Sequence, residues 1–373
     1  MSDGNDPQSL PAATAAKPDP SEDPRLDPRL TPLCKMLTAT QNEPKTADEI
    51  KDDHETLVKK AAENRNVGLE AAFMTEQPFQ LSAAPLESVE RSEGTFVSSP
   101  DGNTVRYCFM RPADAPKDSK LPVVYYIHGG GMTQLSCFYA MYQSWGRFVC
   151  ARTGMAVFLV EFRNALLAGF ADGEHSSGEV KKYPGGLNDC VSGVKYLHSH
   201  AAQFNVDANK ISIAGESGGG NLTLATGMQL KKDGDIGLVR ALVPLCPYVL
   251  GNYPDPEYPS TITNNGILLK VGGGGVHDYS KEAYDAKDPF AWPIFAEKQH
   301  LEGLPPCLLS MNECDPLLDE GLTMYRKLRN AGVAVQARVV PGTCHAAEVF
   351  LSVPDISKAT VDAIRCFLND VFA

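Results

Sequence analysis

Residues 215–219 read Gly-Glu-Ser-Gly-Gly, set between the apolar run KISIAGE (210–216) and the helix-forming NLTLATGMQLKK (221–232). A serine at a sharp strand-to-helix turn has its hydroxyl lifted above the sheet edge, and small neighbours are needed because larger ones would collide. Ser217 is thus a candidate nucleophile. The five-residue pattern alone is weak, so the strand before it and the helix after it carry the reading. A phosphate-binding loop is the competing interpretation, but no Gly-Lys-Ser/Thr follows and the Gly-x-Gly-x-x-Gly spacing is not met. A second feature, His128-Gly129-Gly130-Gly131, comes directly after PVVYYI (122–127). Three consecutive glycines let backbone N–H groups turn toward one point, where they can hold an oxyanion. The Gly218 amide, opening the helix after the serine, adds a donor and the positive end of a helix dipole. His128 itself reads as a structural hydrogen-bonding residue.

A serine hydroxyl is a poor nucleophile until a base takes its proton and an acid orients that base. The histidines after Ser217 are His277, His300 and His345. Only His345 directly follows a strand-like run, AVQARVV (334–340), whereas His277 and His300 read as surface residues. The acid is expected from the loop of the preceding strand. Asp315 fits there, and Asp319, which opens the following helix, is the alternative that reads better as a cap or supporting group.

The elements that must position these groups alternate. Strand signals fall at 94–99, 104–111, 122–128, 155–162, 210–216, 240–245, 305–312 and 334–340, with a hairpin turn at Pro100-Asp101-Gly102-Asn103 between the first two. Helical stretches fall at 138–153, 187–203, 218–232, 318–331 and 357–370. Continuous apolar strands alternating with helices predict an α/β fold, a mostly parallel sheet of about eight strands covered on both faces. Residues 251–290, with four consecutive glycines and no strand, are too long for an ordinary connection and predict an inserted lid. Residues 46–75 predict one or two amphipathic helices starting near Thr46 or Asp48. The division expected is 1–30 with little fixed structure, 31–93 and 251–290 as cap, and 94–250 with 291–373 as the catalytic domain.

Together, His128-Gly-Gly-Gly, Gly-Glu-Ser217-Gly-Gly, Asp315-Pro-Leu-Leu-Asp-Glu-Gly and His345 resemble the hormone-sensitive-lipase family of α/β-hydrolases, the bacterial esterase branch. Glu161-Phe-Arg163, Tyr183-Pro-Gly-Gly-Leu-Asn-Asp189 and Gly303-Leu-Pro-Pro resemble further segments of that family, over about residues 94–373. The resemblance implies a carboxylesterase with an N-terminal cap and no cofactor, acting on short- to medium-chain acyl esters. It assigns the triad to Ser217, Asp315 and His345, and the oxyanion hole to Gly130, Gly131 and Gly218. The chain departs from the family with Glu216 where Asp or Thr is usual, Gly218 where Ala is usual, and Ala346-Ala347 after the base. An amidase or peptidase with the same triad is the alternative reading. A non-catalytic ligand receptor on this scaffold is disfavoured because His345 is retained.

Composition narrows the classes. The 373 residues carry a net charge of −12 and no basic stripe, which disfavours nucleic acid as a partner. No apolar run is long enough to span a bilayer, and the start, MSDGNDPQ, lacks the features of a signal peptide. Ten scattered cysteines, without Cys-x-x-Cys or zinc spacing, predict reduced thiols in a cytoplasmic protein and no metal. Cys314 and Cys344, beside the candidate acid and base, read as inward-packing residues or as thiols whose oxidation would displace their neighbours. The partner expected is a small-molecule ester, with the chain a monomer or a homodimer paired along 334–340.

Overall fold

The computed structural model describes residues 19–169 and 179–373. Eight strands form one sheet: β1 (Val89–Val97), β2 (Thr104–Pro112), β3 (Leu121–Ile127), β4 (Ala156–Glu161), β5 (Val206–Glu216), β6 (Ala241–Leu245), β7 (Cys307–Asn312) and β8 (Val335–Val340). Their order is β1-β2-β4-β3-β5-β6-β7-β8. β2 runs antiparallel to β1 and β4, and the other pairs are parallel. This is the predicted α/β-hydrolase sheet.

The central strands are buried at every position and mostly apolar because both of their faces are covered. Tyr125, Ile127, Phe158 and Ile213 pack with α6 (Gly185–Ser199), α7 (Gly218–Asp233) and α12 (Leu318–Asn330). Their neighbours Val124, Tyr126, Val157 and Leu159 point the other way, onto α5 (Ala140–Thr153) and α13 (Pro354–Phe372). Each large aliphatic or aromatic side chain so buried contributes about 1.5–3 kcal/mol of transfer free energy. Register then sets the site. Ile127 pairs with Gly215, Glu216 with Leu245, and Asn312 with Val340, so β3, β5, β6, β7 and β8 end along one edge.

Two boundaries differ from expectation. β1 begins at Val89 rather than 94, pairing Val89 with Pro112 and Arg91 with Met110. Its Glu-Arg-Ser-Glu stretch is solvent-facing on an edge strand, so hydrogen bonding rather than apolar alternation defines it. Of residues 1–30, expected to carry little fixed structure, 1–18 lie outside the described residues, but 19–30 are folded. Pro20–Glu22 and Pro28–Leu30 are 3-10 turns capped by Asp19 and Asp27, and Leu26 and Leu30 are buried against Ile267, Leu268 and Val353. The Asp-Pro pairs supply caps and fixed φ, and tertiary burial holds what composition alone would leave loose.

The N-terminal segment continues as α1 (Thr31–Ala39), α2 (His54–Glu63), α3 (Val67–Met74) and α4 (Pro78–Ala83). Thr46 caps a short 3-10 turn, and the first of the two predicted helices starts at the cap Asp53 instead. The insert forms α8 (Ser260–Thr263), α9 (Gly274–Tyr279) and α10 (Lys281–Asp285), and α11 (Lys298–Leu301) precedes β7. Segment and insert touch along their length: Thr38 Oγ1 donates to the Leu268 carbonyl, Gly273 N to Lys45 O, and Lys270 N to Gln41 Oε1. Among the described residues no helix is long and apolar enough to cross a membrane.

Candidate active site

Ser217 stands between β5 and α7 with φ 57° and ψ −119°, a conformation strained for any residue with a side chain. Neighbouring hydrogen bonds impose it. The Ser217 amide donates to Leu245 O, and its carbonyl accepts from Asn221 N and Tyr248 N, each at 3.0 Å. The serine is thereby held facing a cavity of about 650 Å³, whose walls also include Gly130, Gly131 and His345.

The predicted base and acid come together. His345 Nδ1 donates to Asp315 Oδ2 at 2.7 Å, and Asp315 Oδ1 accepts from Leu317 N at 2.9 Å. Asp315 is fully buried. Burial pulls the His345 imidazole down, but the Asp315 charge and hydrogen bond, with help from Glu216 and Glu348, outweigh it and raise its pKa. Asp319 lies elsewhere: its carboxylate accepts from Ser260 N at 2.7 Å, and Ser260 Oγ accepts from Asp319 N. Glu320 accepts from the Val249 and Leu250 amides and from the Tyr253 hydroxyl. The acids of the Asp315-Pro-Leu-Leu-Asp-Glu motif therefore divide between the imidazole and the inserted segment. His277 Nε2 meets the Ala47 carbonyl at 2.9 Å and His300 caps α11, so neither joins the site.

The glycine turn is tightly seated. Gly130 takes φ 89°, and a Cβ there would run into the Gln134 carbonyl, so only glycine fits. A Cβ at Gly218 would lie 2.7 Å from Gly131 N and 2.5 Å from Met132 N, so the start of α7 and the turn approach backbone to backbone. His128 is fully buried, donates Nδ1–H to the Gly129 carbonyl and stacks on Phe162; burial pushes its pKa down to about 4, and the ring is neutral. Met132, next after the glycine turn, is buried in the core.

Three features escaped sequence reasoning. Glu216, noted only as a departure, accepts from Gly129 N at 2.6 Å and from the Tyr126 and Tyr142 hydroxyls. It is a buried post between the nucleophile turn and the glycine turn; desolvation pushes it up to about 7 while those donors oppose the rise. The Tyr-Tyr of β3 hinted at one partner, but Tyr142 on α5 had no local signal. Cys246, at φ 31°, brings its thiol within 4.8 Å of ligand atoms on Asp315 and His345. Three metal-ligand types meet there, but Asp315 and His345 already satisfy one another, and the trio reads as the wall behind the imidazole. Finally, Cys344 meets Cys34 of α1 thiol to thiol, in an apolar cluster that also holds Cys314. The Cys34 hydrogen bond and burial hold the Cys344 thiol well up, which favours the packing reading of both.

Arg163 ties three motif segments together, with ion pairs to Asp189 at 2.8 Å, Asp101 at 2.6 Å and Glu179 at 3.2 Å.

A profile of the α/β-hydrolase fold family matches residues 124–349. The chain belongs to the α/β-hydrolase family. Among solved structures, this hydrolase is similar to esterase Est22, at 42% identity and TM-score 0.85 over 94% of this chain and 99% of that one. It is also similar to brefeldin A esterase, a bacterial homologue of human hormone-sensitive lipase, at 32% identity and TM-score 0.79 over 95% and 96%. The ethyl acetate hydrolase of Pseudomonas putida is 24% identical over 74% of this chain and 81% of its own. The resemblance to the hormone-sensitive-lipase group thus extends over 95% of the chain, beyond residues 94–373.

Proposed function

We propose that this α/β-hydrolase is a carboxylesterase that cleaves short- to medium-chain acyl esters through an acyl-enzyme. Ser217 Oγ attacks the ester carbonyl as His345 Nε2 takes its proton, and Asp315 keeps the imidazole in the tautomer with Nδ1 protonated. The Gly130, Gly131 and Gly218 amides receive the oxyanion. His345 then returns the proton to the leaving alcohol, and water, activated by the same imidazole, releases the acid. Glu216 positions the glycine turn through Gly129. The N-terminal helices and the 251–290 insert act as a cap over the substrate. No step calls for a metal or a cofactor.

The observation that carries this reading is the 2.7 Å His345–Asp315 pair opening, with the strained Ser217, onto one cavity. Its volume suits a small-molecule ester. The esterase names of the relatives agree with it. The chain acts in the cytoplasm, as buried reduced thiols suit, as a monomer or as a homodimer joined along β8. A series of p-nitrophenyl esters from acetate to palmitate, run beside matched p-nitroanilides, tests the substrate class. Turnover of the short and medium esters with far slower anilides is expected. Anilides cleaved as fast as esters would make it an amidase.

A further inference from the structure

Asp278, on α9 of the insert, lines the same cavity as Ser217. Its side chain is half-buried at the cavity wall, and among the described residues no hydrogen bond or ion pair is made to it; burial pushes it up to about 6. A carboxylate partly withdrawn from water without a partner is costly, and folds ordinarily pair it. The other charges around this cavity are matched. Glu43 pairs with Lys270 at 2.7 Å and Glu70 with Arg65 at 2.7 Å. Glu216 is held by two hydroxyls and an amide, and Lys45 is exposed beside Glu49.

Tyr248 links this carboxyl to the reacting centre. Its amide donates to the Ser217 carbonyl, so the side chain departs from the nucleophile's own backbone. Its hydroxyl comes against Gly275, where no Cβ would fit beneath it, and feels the Asp278 charge one helical turn further on. Asp278 therefore stands one tyrosine side chain away from the nucleophile turn, across a cavity that the substrate must enter.

We propose that Asp278 is a specificity residue that selects esters bearing an ammonium group on the arm lying along Tyr248. This rests on the esterase reading above. The cation supplies the charge partner that the fold withholds, and the phenol beside it offers an oxygen and a π-face suited to a quaternary nitrogen. The same carboxylate disfavours esters whose far end is anionic.

Two isosteric substrate pairs test it, one for each arm of the ester. Choline butyrate is set against 3,3-dimethylbutyl butyrate, and p-nitrophenyl 4-(trimethylammonio)butanoate against p-nitrophenyl 5,5-dimethylhexanoate. The wild type is expected to prefer the charged member of one pair in kcat/KM. Asp278→Asn should cut that charged-to-neutral ratio by about tenfold or more. Ratios that are the same in wild type and variant for both pairs would overturn the proposal. A wild type that cleaves neither neutral ester would instead bring down the esterase reading on which it rests. If Asp278→Asn does not fold, competitive inhibition of the wild type decides: choline should inhibit at lower concentration than 3,3-dimethylbutan-1-ol, or trimethylaminobutanoate methyl ester below its neutral isostere. Equal inhibition within both pairs would overturn it.

Discussion

The two sides of the cavity are built on different principles. On the sheet side, α7 buries twelve of its residues and Ser217 is pinned by three backbone hydrogen bonds, while Glu216 and Asp315 have their polar atoms matched. On the other side, α2 and α3 bury no residue fully, and Val67, Met74 and Phe79 are exposed. Strain at Ser217 persists only because its surroundings over-determine it. α2 and α3 are held by partly buried side chains, the kind of surroundings in which local opening is favoured. In the proposed mechanism the sheet side sets which bond is cleaved, and the helical side, acting as cap, sets which molecule is admitted.

Substitutions can sharpen that contrast, beginning with the acid. Asp315→Asn should lose about 10⁴-fold in turnover with the fold intact, because the imidazole then favours the wrong tautomer. Asp319→Asn, which loosens the Ser260 contact, should cost little turnover. The reverse ranking in steady-state assays would reassign the acid. The two also differ in pH profile. A protonated His345 cannot accept the serine proton, and its pKa is raised. The acid limb of wild-type kcat/KM should therefore lie above the ordinary histidine value of about 6.5, with activity falling as pH drops through it. Any residual Asp315→Asn activity should show that limb at lower pH, since the raising charge is gone.

Gly218→Ala probes how closely the nucleophile turn and the glycine turn approach. The added methyl meets Gly131 N and Met132 N, both backbone atoms that cannot swing aside. A loss of about 10–100-fold in kcat is expected, of the size seen when an oxyanion donor is displaced, together with a lowered thermal midpoint from the overpacking. An unchanged kcat would mean that the turn can retreat at no cost to the chemistry.

On the helical side, Phe73→Ala removes a ring that faces Phe350 at 6.4 Å and lines the cavity. It should shift the preferred acyl length and change KM by less than about tenfold, because one pocket wall is worth only about 1–3 kcal/mol in discrimination. A large fall in kcat on every ester would instead tie α3 to the chemistry.

That division also explains what could be read in the chain. The eight strands were legible because most of them are apolar runs in the sheet, and the turns they feed demand glycine; the sequence also singled out Ser217, Asp315 and His345, of which Asp315 pairs with His345 while Ser217 lines the same cavity as His345. The start of β1 was not, since an edge strand keeps its charges in water. The fold of residues 19–30 was hidden for a related reason: Leu26 and Leu30 find their apolar partners some 240 residues away, in the insert and beyond. The same distance conceals Glu216, whose partners are a glycine amide and two tyrosines on other elements, and the pairing of Cys344 with Cys34. Asp278 reads locally as one polar residue in a glycine-rich loop; only the folded cavity leaves it facing inward.

The most direct test of the account is covalent. An organophosphorus ester that mimics the tetrahedral intermediate should attach once per chain, at Ser217 by peptide mapping, with activity lost in proportion to labelling, and Ser217→Ala should take up no label. Full inactivation with the label on another residue, or complete labelling of Ser217 with activity retained, would contradict it.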